Sequence, residues 1–236
     1  MSNNFLLKKK IIIAIDFSDI LLAKKIIDFL DPKIYRLKIG KESFIRFGTE
    51  FIIYLHKLGF DVFLDLKFHD IPNTVAKAVS AVADIGVWMI SVHCMGGENM
   101  LKSAKLALLP FKKDAPLLIG VTILTSISHK QLFKLGIHKS CKKYVLFLAK
   151  MAEKCGLDGV ICAGEDIKNI KKKIGNKFKI ITPGIRLNKD ENLHDQYRTM
   201  TPMKAFKLGS DYIVIGRTIT KSKNPIDRLQ SLILSI

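Results

Sequence analysis

The hexapeptide Asp65-Leu66-Lys67-Phe68-His69-Asp70 sets two carboxylates and one ammonium at the end of an apolar run. Side chains two apart on a strand share a face, so Asp65 and Lys67 are expected to point the same way. Each charge then lowers the cost of burying the other. A second lysine, Lys38, closes the preceding apolar run. Such a group suits proton delivery and electrostatic control of charge that develops on a bound molecule. An isolated D-x-K also fits a plain structural ion pair. The longer D-x-K-x-x-D, with another lysine one strand earlier, fits chemistry better. Past Asp70 the chain turns through Ile71-Pro72-Asn73-Thr74, where Asn73 or Thr74 is expected to cap the next helix.

A second constellation lies near the C-terminus: Thr182-Pro183-Gly184-Ile185-Arg186, then Ile215-Gly216-Arg217. Arg186 and Arg217 can each fork onto phosphate oxygens, and a glycine at 216 lets the backbone come close. Residues 187–203 read as a long polar loop of the kind that covers active sites.

These groups need elements to carry them. Eight short runs rich in β-branched residues read as buried strands: Ile11–Phe17, Ile34–Gly40, Val62–His69, Trp88–Met95, Leu117–Leu124, Gly159–Ala163, Lys179–Gly184 and Tyr212–Gly216. Helical stripes lie between them. One is Ile20, Leu21, Ala23, Ile26, Ile27 and Leu30; another is Phe44, Ile45, Phe51, Ile52 and Leu55. Val75 to Ile85 and Val145 to Ala152 give two more, with further helices at 99–109, 167–174, 202–208 and 226–236. Gly59, Gly86, Gly156 and Gly209 follow helices as C′ residues would. This alternation allows a closed barrel or an open doubly wound sheet. Polar residues recur at the strand ends: Asp16, Lys38, Asp65, Lys67, His93, Thr122, Thr125, Arg186 and Arg217. Only a barrel brings all those ends to one mouth. The expected fold is therefore α/β, a single (β/α)8 TIM barrel over residues 1–236.

Bulk properties agree. The 236 residues approach the roughly 250 of such barrels. The chain is 48% hydrophobic, with a mean hydropathy of +0.20, enough to fill a core. A net charge of +18 raises nucleic-acid binding as a possibility. Six of the 39 basic residues are arginines, the lysines fall in short scattered runs, and no aromatic residues interleave as stacking platforms. The runs therefore read as solvated faces, and no nucleic-acid partner is expected. The four cysteines form no CxxC and no zinc spacing, which suits a reducing compartment. The apolar stretch after Lys8-Lys9-Lys10 is too short for a signal segment, and no apolar run approaches the roughly 18 residues of a membrane span. A soluble cytoplasmic protein is the simplest reading. His69, His93 and His129 lack paired metal spacing and read as loop or core residues; no metal site is expected.

Together these segments resemble the orotidine 5′-phosphate decarboxylase family, over nearly the whole chain. The resemblance rests on Ala14-Ile15-Asp16, Leu37-Lys38-Ile39-Gly40, the ten residues from Asp65 to Thr74, and Val121-Thr122-Ile123-Leu124-Thr125-Ser126. Thr182 to Arg186, Asp195-Gln196-Tyr197-Arg198 and Val214-Ile215-Gly216-Arg217 complete it. The D-x-K-x-x-D core is shared with related sugar-phosphate decarboxylases, whereas F-H-D-I-P-N-T is not.

The resemblance implies decarboxylation of orotidine 5′-phosphate to UMP without a cofactor. It implies Lys67 as proton donor to C6, Asp65 beside the substrate carboxylate, and Lys38 and Asp70 completing an alternating charge network. Asp70 would reach the partner's site in a homodimer. Asp16 and Lys38 would hold ribose hydroxyls, with Ile71 and Thr74 nearby. Thr125 would lie near the base and Ser128 near its polar edge. Pro183, Arg186, Gly216 and Arg217 would line the phosphate site, and Gln196 would bridge loop, phosphate and base. A metal-dependent relative acting on sugar phosphates is the rival, with Glu42 as the one extra carboxylate near the mouth.

Overall fold

The computed structural model describes residues 9–186, 199–220, 222 and 224–234. Eight parallel strands close into a barrel in chain order, β1 (Ile11–Ala14), β2 (Tyr35–Gly40), β3 (Val62–Phe68), β4 (Met89–His93), β5 (Leu117–Val121), β6 (Gly159–Ile161), β7 (Lys179–Thr182) and β8 (Tyr212–Ile215). β1 pairs with both β2 and β8, which completes the ring. The TIM-barrel expectation holds. Most strands stop two or three residues short of the apolar runs, because each chain leaves the ladder as it reaches the mouth.

Strand periodicity sorts the side chains. Ile12, Phe63, Met89, Ile119, Ile181 and Val214 point inward and form a separate apolar layer inside the barrel. The opposite strand faces pack on the helices in a second, larger core that includes Ile13, Leu37, Ile52, Leu64, Val79, Leu148 and Ile180. At the N-terminal end Arg36 lies over the Trp88 ring at 3.9 Å and near Tyr212 at 5.4 Å. This cation–π cluster caps the inner layer from below.

The helices are α1 (Ile20–Ile27), α2 (Lys41–Lys57), α3 (Pro72–Asp84), α4 (Gly97–Leu106), α5 (His129–Lys134), α6 (Cys141–Lys154), α7 (Ile167–Ile174), α8 (Pro202–Leu208), α9 (Arg217–Thr220) and α10 (Pro225–Leu234). Two of them, the short α5 and α9, have no counterpart in the sequence reading. Gly59, Gly86, Gly156 and Gly209 all have positive φ, as expected after helix ends. Two stripe residues miss the core. Ile45 is 80% exposed, because α2 breaks at Gly48 (φ +65, ψ −164) and its halves present different faces. Leu21 stands in the first turn of α1 and faces solvent.

Not every lysine run is a solvated face. Lys171 is half-enclosed, donating to the Asp211 carboxylate at 2.7 Å and to the Phe178 carbonyl at 2.9 Å. Lys9 pairs with Asp61 at 2.9 Å. None of the four cysteines is in a disulfide, and Cys94, Cys155 and Cys162 are buried, so these three act as small core hydrophobes. Among the described residues, no helix is long and apolar enough to cross a membrane.

Candidate active site

A cavity of about 700 Å³ opens where the C-terminal strand ends converge. Its floor is apolar, formed by Ala14, Phe63, Val121, Ile161 and Val214. The inward positions that supply apolar layers lower in the barrel become charged or polar at this level. Ile12 and Ala14 are followed by Asp16, and Phe63 by Asp65; on β2 the charge of Lys38 stands above that of Arg36.

One wall carries four charges in alternating sign. Asp16 Oδ1 receives a bond from Lys38 Nζ at 3.2 Å. Lys38 Nζ stands 3.7 Å from Asp65 Oδ2, and Lys67 Nζ donates to the same oxygen at 2.7 Å. Asp65 is 6% exposed and Lys38 8%. Burial pushes the Asp65 carboxyl upward, but the two ammonium groups and bonds from Lys67 and Ser91 outweigh it. Its pKa settles below the ordinary carboxylate range, so Asp65 is an anion at neutral pH. Gly40 makes the arrangement possible: a Cβ there would stand 2.6 Å from Asp16 Oδ1 and 3.1 Å from Lys38 Nζ.

Lys67 does not sit on a regular strand, as the spacing argument assumed. The β3–β4 register shifts between Leu64 and Phe68. Lys67 itself has φ +52, a left-handed conformation that costs an L-residue about 1–2 kcal/mol. The bulge aims its ammonium back along the cavity wall toward Asp65.

The adjoining side of the mouth, beyond β7 and β8, carries Pro183, Gly184, Arg186, Gly216 and Arg217. Arg186 is buried and donates from Nη1 to the Ile185 carbonyl at 3.0 Å. The stem of its loop is pinned by Arg186 N–H to Met200 O at 2.9 Å and Met200 N–H to Gly184 O at 3.1 Å. So Met200, expected in the loop, is a paired residue. Gly216 brings α9 close to β1, since a Cβ would stand 3.4 Å from that of Ala14. Thr125 and Ser126 occupy a third side. Gln196 lies outside the described residues.

Several expected residues are elsewhere. Asp70, Ile71 and Thr74 are exposed and do not line the cavity of their own chain. Asp70 instead accepts the Ile71 N–H at 2.6 Å. The α3 N-cap is Ile71, with Pro72 opening the helix, so neither Asn73 nor Thr74 caps it. Proline at this position already removes one N–H that a cap would have to satisfy. Ser128 is not among the residues that line the cavity. It caps α5 in a reciprocal pair with Gln131. Thr122 gives its hydroxyl to the Ile161 carbonyl, and His93 lies outside the cavity lining. His93 stacks on His69 with centroids 5.1 Å apart, and burial with nearby positive charge pushes it down to about 4. It is therefore neutral, with Nδ1 accepting the Met95 N–H at 3.3 Å. Among the described residues, no group of three or more His, Cys, Asp or Glu is placed to hold a metal ion.

Two buried serines that brace the charged wall escaped the sequence reading. Ser43 donates to the Ile15 carbonyl at 2.8 Å and accepts the Phe17 N–H at 3.1 Å, bracing the turn that carries Asp16. Ser91 donates to Asp65 Oδ1 at 2.8 Å and accepts the Lys67 N–H at 2.9 Å. The alternation Met89, Ser91, His93 was the available signal for the second, because it puts Ser91 on the inner face level with Asp65. Glu42, considered earlier only as a metal ligand, lines the cavity and stands 3.7 Å from Arg46.

Comparison with known proteins agrees with this geometry. The model of the "Orotidine 5′-phosphate decarboxylase / HUMPS family" matches residues 9–232. An orotidine 5′-phosphate decarboxylase of Buchnera aphidicola subsp. Schizaphis graminum is 55% identical over 235 residues, covering 100% of this chain and 98% of the relative. One from Tolumonas auensis is 49% identical over 227 residues, covering 96% of this chain and 98% of the relative. The crystal structure of an orotidine 5′-phosphate decarboxylase from Lactobacillus acidophilus superposes with a TM-score of 0.84 at 37% identity, over 97% of this chain and 99% of that one. A closed eight-stranded barrel, an Asp/Lys chain sharing one cavity with two arginines, and similarity along almost the full length lead to one conclusion: the chain belongs to the orotidine 5′-phosphate decarboxylase / HUMPS family.

Proposed function

We propose that this protein decarboxylates orotidine 5′-phosphate to UMP and carbon dioxide in pyrimidine biosynthesis, using its own side chains and no cofactor. The observation that carries this reading is the Asp16–Lys38–Asp65–Lys67 chain, buried at Lys38 and Asp65, in a cavity that Arg186 and Arg217 also line. A nucleotide gripped by its phosphate at the arginines presents its base to the lysines. Asp16 and Lys38 hold the ribose hydroxyls, and Thr125 lies near the base. Pro183 and Gly216 complete the phosphate side.

Loss of carbon dioxide leaves an electron pair in the plane of the pyrimidine ring, where the π system cannot take it up. The protein must supply the stabilisation electrostatically. Lys67 is a compact cation beside that carbon, and it then transfers its proton there. Asp65, held as an anion, opposes the substrate carboxylate in the ground state and favours its departure. The test is loss of orotidine 5′-phosphate absorbance in the presence of EDTA. Full turnover is expected; turnover that appears only on adding a divalent metal favours the sugar-phosphate relative.

Asp70 belongs, in this reading, to the site of a second copy in a homodimer, with Ile71 and Thr74 beside it. Its exposure at the start of α3 supports this, as does the neighbouring Ile71, an apolar side chain 65% exposed at the rim. Mixing inactive Lys67→Ala and Asp70→Ala chains should restore activity, since each heterodimer then holds one intact site. No recovery after subunit exchange refutes the shared site.

A further inference from the structure

The bulge that carries the charged residues has a single partner on the neighbouring strand. Leu64 is level with Ile90 and Phe68 with Val92, so Asp65, Leu66 and Lys67 together oppose Ser91. A bulge of this kind leaves ladder groups without strand partners. Ser91 supplies what the ladder lacks. A hydroxyl has one proton and two lone pairs. Here the proton goes to Asp65 Oδ1 at 2.8 Å and a lone pair takes the Lys67 N–H at 2.9 Å.

We propose that Ser91 is a positioning residue for the decarboxylation: its one hydroxyl locks both the left-handed backbone of Lys67 and the orientation of the Asp65 carboxylate. This rests on the functional reading given above. The lock works because the two carboxylate oxygens have different partners. Oδ1 takes the Ser91 proton, while Oδ2 takes Lys67 Nζ at 2.7 Å and faces Lys38 Nζ at 3.7 Å. Rotating the carboxylate breaks bonds at both ends. Relaxing Lys67 from its left-handed φ of +52 loses the Ser91 acceptor. Ser91 is fully buried and is not part of the cavity wall, so it acts through Asp65 and Lys67 and does not touch the substrate.

Displacing a reacting group by about 1 Å can cost on the order of 10²-fold in rate. Ser91→Ala should therefore lower kcat by roughly 10- to 100-fold while KM moves less than about 3-fold. The acidic limb of the kcat profile should also move to higher pH, because Asp65 loses one of the donors that hold its carboxyl down. Ser210→Ala is the control for mere structural loss. That buried hydroxyl bonds to Thr182 and to main-chain carbonyls, and touches no charged group. A crystal structure of Ser91→Ala should show Lys67 outside the left-handed region or its ammonium drawn off Asp65. The proposal is overturned by a Ser91→Ala enzyme with kcat within 2-fold of wild type and an unmoved acidic limb. It is equally overturned if Ser210→Ala reproduces the same kcat loss and pH shift. If Ser91→Ala does not fold, Ser91→Cys keeps the volume with a weak donor and must show the same two changes. A wild-type protein inert toward orotidine 5′-phosphate refutes the functional reading instead, and the crystal structure then decides the lock by itself.

Discussion

Lys67→Ala is expected to bind the nucleotide and lose turnover by many decades. Two separate contributions vanish with the ammonium. A cation about 3 Å from a developing carbanion is worth roughly 5 kcal/mol at an effective dielectric near 20, or about four decades of rate. Proton delivery by a positioned acid contributes typically another 10²–10⁴-fold. Repulsion between Asp65 and the substrate carboxylate, at about 4 Å, reaches about 4 kcal/mol at the same dielectric, or some three decades. It is therefore the smaller effect. The fold should survive, because the Lys67 side chain is 29% exposed and Asp65 keeps Lys38 and Ser91 as partners. Calorimetric titration with UMP checks binding, and long-time absorbance assays check turnover. Near-normal turnover would falsify the role given to Lys67.

Arg217→Ala should lower kcat/KM by about 10²–10⁴-fold and leave the melting temperature nearly unchanged. A forked guanidinium makes two charge-assisted bonds to phosphate, each worth roughly 1.5–3 kcal/mol. The phosphate does not react. Its binding energy can still serve the transition state by holding the base against Lys67, so kcat falls along with the rise in KM. Arg217 is a cleaner test than Arg186, which is 7% exposed and bonded to a main-chain carbonyl, so that its loss also threatens folding. If Arg217→Ala barely moves either constant, the phosphate is gripped elsewhere.

The barrel and most of its site were legible because both follow from period-two patterning. Apart from Arg36, which closes the bottom, the inward positions low on the strands are apolar and fill the barrel, and the same face at the mouth is open to carry charge. Asp16, Lys38, Asp65 and Lys67 lie at those places, and the structure brings them to one wall. The errors arose where a local rule had a competitor. Asn73 and Thr74 are good caps, but Pro72 had already begun the helix. Ile45 fitted a stripe until Gly48 broke the helix phase.

By itself the sequence determined most of the residues that share the mouth of the barrel, though not His93 or Thr122, because strand alternation and strand order place them. It could not determine how Asp65 and Lys67 face each other. The two-residue spacing predicted a shared face on a regular strand. The contact is made instead by a bulge, a left-handed Lys67 and a serine on β4, 24 residues further along the chain than Lys67. A backbone conformation unfavourable for lysine persists only where surrounding bonds over-determine it, and those bonds exist only once β3 and β4 lie side by side.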